Sequence, residues 1–116
     1  MSTIYCLVPS EYWQQFAERR DYVPRDYDEE GFIHATKGED LVERVANRVY
    51  PDFEQELLLL VIDESQVTAP ILYERAKDGL LYPHIYGHLN KEAISDIRKM
   101  RKAAGAWQIG ESCCAP

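Results

Sequence analysis

The stretch Leu57-Leu58-Leu59-Leu60-Val61-Ile62 decides how this chain folds. It shows no alternation of polar and apolar positions. A strand with one wet face would alternate, so this run reads as a central strand covered on both sides. It is far too short to span a membrane, and Asp63 closes it. In a chain of 116 residues such a strand needs cover on two sides, which points to an α+β domain.

Upstream, Leu41, Val42, Val45, Ala46 and Val49 recur at helical spacing, and Pro51 stops that helix. Thr36-Lys37-Gly38-Glu39 has capping-box spacing, so Thr36 is expected to cap the helix. Before it, Gly31 breaks the chain and Phe32-Ile33-His34-Ala35 reads as a short strand. Residues 21–30 are polar and acidic and read as a solvated loop. Residues 3–8 read as a short buried strand stopped by Pro9-Ser10. Ser10 then fits an N-cap, and Trp13, Phe16 and Ala17 share one face of a helix that fades near Arg19-Arg20.

Downstream, Pro70 precedes a short strand, Ile71-Leu72-Tyr73-Glu74, and Lys77-Asp78-Gly79 is a turn. Leu80 to Gly87 follows as an extended segment, with Tyr82, His84 and Tyr86 on one side and Leu81 and Ile85 on the other. Pro83 removes a ladder donor, which suggests an edge or irregular strand. Residues 91–104 fit two patterns. Ile94, Ile97, Met100 and Ala104 approach helical spacing, whereas Ala93, Ser95 and Ile97 alternate as in a strand. Arg98, Lys99, Arg101 and Lys102 form the dense basic run, read first as a solvated face and second as a phosphate site.

The formal charge is −7, which disfavours broad nucleic-acid binding because an acidic chain repels phosphate backbones. Met1-Ser2-Thr3 leads straight into a short apolar segment that does not resemble a secretory signal. Cys6, Cys113 and Cys114 form no disulfide framework, so reduced thiols and a cytoplasmic location are expected. One domain over residues 1–110 is expected, with a disordered tail at 111–116 that includes Cys113-Cys114.

The sequence holds no P-loop, no dinucleotide glycine fingerprint, no Cys-x-x-Cys pair and no His-Glu-x-x-His motif. Its chemistry must therefore come from single residues. Two readings of His34 stand side by side: a core histidine satisfied by a backbone carbonyl, and an imidazole that grips a ligand beside a helix start. Thr36 either shares that ligand or only caps the helix. Tyr82, His84 and Tyr86 either stack on a flat ring or pack on a neighbouring helix. Glu74 is a candidate catalytic base, with surface pairing as the simpler account. A metal held by His34, His84 and a carboxylate fits the residue types, but the spacing does not call for one, and no metal is expected.

Gly31-Phe32-Ile33-His34-Ala35-Thr36, Leu57 to Asp63, Leu72-Tyr73-Glu74 and Tyr82-Pro83-His84-Ile85-Tyr86-Gly87-His88-Leu89 occur in that order. With Ile4-Tyr5 and Trp13 they resemble the bacterial family known as domain of unknown function 952, over about residues 3–98. That resemblance implies an ADP-ribosyltransferase-like fold, a split β-sheet with flanking helices that grips NAD. It implies NAD as the bound substrate, with His34 and Glu74 as catalytic candidates. Thr36, Tyr82, His84 and Tyr86 would contact the ligand. ADP-ribosyl transfer or NAD glycohydrolysis is then the expected activity. The alternatives are a non-catalytic module for a small-molecule ligand and an RNA 2′-phosphotransferase-like activity. The sequence departs from the transferase pattern at Cys6, where a nucleotide-gripping histidine would stand.

Overall fold

The computed structural model describes residues 2–112. Its main sheet has four antiparallel strands in the order β1 (Thr3–Pro9), β4 (Leu57–Asp63), β8 (Ile94–Ala103) and β9 (Ala106–Ser112). A second sheet has β6 (Leu81–Ile85) in its middle, flanked by β3 (Ile33–His34) and β5 (Ile71–Arg75). A third pairing joins β2 (Asp21–Tyr22) to β7 (Leu89–Asn90). The helices are α1 (Ser10–Gln14), α2 (Tyr27–Glu30) and α3 (Glu39–Val49). Among the described residues no helix is long and apolar enough to cross a membrane.

The run that lacks alternation is β4, and the reason is visible in its two faces. Leu58, Leu60 and Ile62 join one core cluster, together with Ile4, Cys6 and Val8 of β1, Phe16, and Ile33 and Ile85 of the second sheet. Leu57 and Leu59 join another, with Val42 and Ala46 of α3, Met100 and Trp107. Burying a leucine stabilises by about 1.5–3 kcal/mol, so a strand buried on both faces anchors the domain.

The segment 91–104, which fits two patterns in sequence, is a strand from Ile94 onward. Ile97 packs into the first cluster and Met100 into the second. Ala104 (φ 52°) and Gly105 (φ 80°) then form a two-residue turn with both central residues at positive φ, and β9 returns along β8. Strand β9 runs to Ser112, two residues into the segment expected to be a tail. Cys113-Cys114 lie outside the described residues. Part of the acidic 21–30 stretch is also more ordered than a solvated loop: Tyr22 is buried in the first cluster, and 27–30 form a helical turn closed by Gly31 at φ 82°.

Three expectations from sequence need correction. Thr36 does not cap α3. Its N–H donates to the Tyr5 carbonyl and its carbonyl accepts from the Tyr5 N–H, both at 2.8 Å. That bridge holds Thr36 extended against β1, and the helix starts later, behind Gly38 at φ 103°. Ser10 likewise is the first residue of α1, with Pro9 as the cap position. Pro83, expected on an edge, lies in the middle strand β6. It is tolerated there because β3 is so short. Ala35 N–H donates to the Pro83 carbonyl at 3.0 Å, but Pro83 has no N–H to return. The β3–β6 ladder therefore ends, and the chain crosses to β1 at the next residue.

Helix α3 is fixed to the main sheet by side chains as well as by packing. Asn47 accepts from the Trp107 N–H at 2.7 Å and donates to the Trp107 carbonyl at 3.2 Å, while Glu43 accepts from the Ile109 N–H at 3.0 Å. These bonds satisfy backbone groups on the edge strand β9. Replacing Asn47 with leucine keeps the size and removes both bonds. The expected cost is about 1–3 kcal/mol, measured by urea unfolding. Unchanged stability would show that the Asn47 bonds do not help to hold α3.

Candidate functional site

A cleft of about 630 Å³ opens where the two sheets part. Its floor is the second sheet, with His34, His84 and Tyr82 in the lining, and Tyr5 of β1 stands beside them. Its wall is α3, which contributes Val45, Arg48 and Val49. These sit at i, i+3 and i+4, so they share one face of the helix. Val42 and Ala46 face the core instead. The single helical stripe read from sequence is thus two stripes, and Val49 is 55 % exposed because it belongs to the cleft.

His34 is not a core histidine. Its side chain is 55 % exposed, and its Nε2 lies 3.2 Å from Glu30 Oε1. His84 is more enclosed, at 13 % exposed, with Nδ1 2.7 Å from Glu74 Oε1. The same carboxylate oxygen accepts the Tyr86 hydroxyl at 2.5 Å. Register explains the assembly: His34 pairs with His84 across β3–β6, and Leu72 pairs with His84 across β6–β5, so Glu74 shares that face two residues on. The two imidazole rings are 5.2 Å apart at 76°. Phe32 stacks on His84 at 4.1 Å and 19°, and also meets His34 and Tyr86.

The hydrogen bonds set what each imidazole can do. An ionised carboxylate only accepts, so the nitrogen facing it carries the proton. In the neutral ring Glu74 then leaves His84 Nε2 as a free acceptor, and Glu30 leaves His34 Nδ1 as one. The Tyr86 and His84 hydrogen bonds hold the Glu74 carboxyl below its ordinary value. They also raise the Tyr86 phenol, chiefly through the Glu74 bond.

The six residues singled out from sequence divide cleanly. His34, Thr36, Tyr82 and His84 line the cleft, while Glu74 is bonded to both His84 and Tyr86 outside that lining. Tyr82 does not offer a free ring. It is buried, and its hydroxyl donates to Asp78 at 2.5 Å. Thr36 has its main chain committed to Tyr5. His88 lies elsewhere, beside Tyr27 and 3.9 Å from Asp21. Cys6 is buried, its Sγ donates to the His34 carbonyl at 3.3 Å, and burial pushes the thiol up to about 12. It is a structural donor that steadies β3. Phe32, Val45, Arg48, Val49, Arg75 and Lys77 were not singled out as site residues. The surplus apolar positions on α3 were the one signal for that wall.

The basic run of β8 is not part of this cleft. Arg98 pairs with Glu39 at 3.7 Å and Lys99 with Glu56 at 3.2 Å. Among the described residues no group of three or more His, Cys, Asp or Glu side chains has an arrangement suited to a metal ion.

The chain belongs to the family described as Protein of unknown function (DUF952), whose model matches residues 7–97. Its fold is similar to the crystal structure of protein CC0527 from Caulobacter crescentus, a Northeast Structural Genomics Consortium target. The two are 18 % identical, with a TM-score of 0.82, over 92 % of this chain and 94 % of that one. The solution NMR structure of CC0527 gives a TM-score of 0.76 at the same identity, over 92 % of this chain and 91 % of that one. A likeness at this identity shows a shared fold and nothing further. A search of curated proteins finds no match.

The lowered Glu74 carboxyl gives a signed expectation. Its stabilising contribution is fully present above the ordinary value of 4.5 and is lost as the pH falls through the lower folded-state value. The stability difference between the native chain and Glu74→Gln, followed by urea unfolding, should be constant above about pH 5.5 and shrink on acidification below that. A difference that stays flat into strong acid would contradict the Glu74–His84–Tyr86 linkage.

Proposed function

We propose that this member of the DUF952 family binds a nucleotide of the NAD type in the cleft beneath α3, and that His34 and His84 grip it. The observation that carries the reading is the pair of imidazoles on one cleft floor, 5.2 Å apart. Each has one nitrogen fixed by a carboxylate and the other left for a ligand. Support also comes from the seam itself. A main sheet and a smaller one part at Thr36, which fits the split-sheet scaffold of the ADP-ribosyltransferase-like kind. The apolar wall of Val45 and Val49 suits a flat ring, which replaces the expected stacking on Tyr82.

The chemistry that this arrangement suits is glycosidic cleavage of NAD, by hydrolysis or ADP-ribosyl transfer. The bond from the ribose C1′ to the nicotinamide nitrogen breaks, and nicotinamide leaves with the electron pair. The oxygen of water or an acceptor bonds to C1′, and its proton passes to His84 Nε2. Cleavage builds positive charge on the ribose, which a nearby carboxylate stabilises. Asp26 lines the cleft and Glu30 touches His34, so these fit that role better than Glu74. Glu74 becomes a positioning residue that fixes the His84 tautomer.

A second reading, binding without turnover, is favoured by one observation: Glu74 is committed to His84 and Tyr86 rather than aimed at a substrate. A single experiment separates the two. The chain is titrated with NAD by calorimetry and then incubated with NAD while free nicotinamide is followed. Both readings predict saturable binding that weakens about tenfold or more in His34→Ala and in His84→Ala, measured below the melting temperature of each variant. Nicotinamide release that is lost in His84→Ala establishes catalysis. Binding without release establishes the module. No heat of binding, or binding indifferent to both histidines, would refute the proposal.

A further inference from the structure

The cleft has a second end that neither histidine reaches. Arg48, Arg75 and Lys77 all line it, and they converge on the turn between β5 and β6. Arg48 reaches Asp78 at 3.7 Å, Arg75 donates to the Gly79 carbonyl, and Lys77 is the residue before Asp78. Asp78 offsets one of these three charges and leaves an excess of cations at this end. Its carboxylate accepts from the Tyr82 hydroxyl at 2.5 Å and from the Leu80 N–H at 2.9 Å, as well as facing Arg48. Among the described lining residues Asp26 is the only acid, against these three cations. In a chain of formal charge −7, three cations gathered at one end of one cleft run against the overall balance. Lys77 makes no hydrogen bond or ion pair among the described residues, so its ammonium is available.

The spacing suits an extended ligand. His84 and Leu80 are four residues apart along an extended segment, which is about 13 Å at roughly 3.3 Å per residue. A ribose gripped by the imidazoles would leave room for a phosphate to reach the turn. Arg48 also sits one residue before Val49 on the helix wall, so a ligand lying along α3 meets an apolar surface and a guanidinium in sequence.

We infer that the β5–β6 end of the cleft is an anion subsite in which Arg48, Arg75 and Lys77 hold a phosphate group of the ligand. The inference rests on the nucleotide reading for the identity of the ligand, but it has its own test. The full chain is titrated by calorimetry with adenosine, AMP and pyrophosphate, each at low and at high salt. AMP is expected to bind about tenfold or more tightly than adenosine at low salt. That gap should shrink as salt screens the charges. Lys77→Met should narrow the gap about threefold. The double variant Arg48→Met/Lys77→Met should narrow it further, leaving only the share that Arg75 supplies. Arg48→Met alone risks loosening the turn through Asp78, whereas Lys77→Met removes no contact, so it keeps the test valid if the double variant melts early.

The outcomes are distinct. Equal affinity for adenosine and AMP overturns the anion subsite and leaves the nucleotide reading standing. Pyrophosphate binding that depends on Lys77, without adenosine binding, supports the subsite and removes the nucleotide reading. A preference for AMP that is undiminished in Lys77→Met and in the double variant overturns the assignment to these residues. Failure of AMP and pyrophosphate alike to bind overturns the subsite outright.

Discussion

Two backbone hydrogen bonds between Tyr5 and Thr36, each 2.8 Å long, hold the two sheets of this protein at the place where they part. The cause lies in one missing donor. Pro83 sits in the middle strand of the smaller sheet and cannot return the bond that Ala35 offers it. Strand β3 therefore pairs for two residues and stops. Its backbone groups still need partners, and the edge of β1 supplies them at Thr36. That transfer positions one side of the cleft: His34 lies two residues before it, α3 begins three residues after it, and Tyr5 stands on it.

Helix α3 connects this constraint to both stability and the site. Its Val42 and Ala46 face the main sheet, and Asn47 and Glu43 bond the backbone of β9. On another face Val45, Arg48 and Val49 form the cleft wall. One rigid element thus completes a core and presents a binding surface, so the wall does not rely on a loop. The floor is equally well supported. Phe32 stacks on His84, and Glu74 and Tyr86 lock its other edge. An imidazole held on several sides keeps one nitrogen in one place, which favours recognition of a defined ligand atom.

Much of this was legible in the sequence where apolar periodicity was unambiguous. The unbroken run from Leu57 to Ile62 revealed its two covered faces, and the turn at Lys77-Asp78-Gly79 and the stop at Pro51 followed from local chemistry. His34 and His84 stood out because they flank apolar strand residues. Other features were hidden for physical reasons. The Thr36-to-Glu39 spacing is the same for a helix cap as for a residue pairing with a distant strand, and only the tertiary contact with Tyr5 decides between them. Pro83 suggested an edge because local rules do not know how short its neighbour is. Strand β8 mixes two core clusters on its two faces, which blurs its alternation into something close to helical spacing. Arg48, Arg75 and Lys77 come from a helix and a turn far apart in sequence, and no linear pattern joins them. Val49 offered a hint, since α3 carries more apolar residues than one buried stripe needs.

The chain carries its own control for the proposal that His34 and His84 work together on one ligand in one cleft. It has three histidines, and the third, His88, lies away from the cleft beside Asp21 and Tyr27. The imidazole C–H resonances of all three can be followed by NMR as NAD is added. If the two imidazoles share one ligand, the His34 and His84 signals shift together and saturate at one common affinity, while His88 stays in place. Signals for His34 and His84 that remain unmoved at saturating NAD, or that move no more than His88, would contradict it.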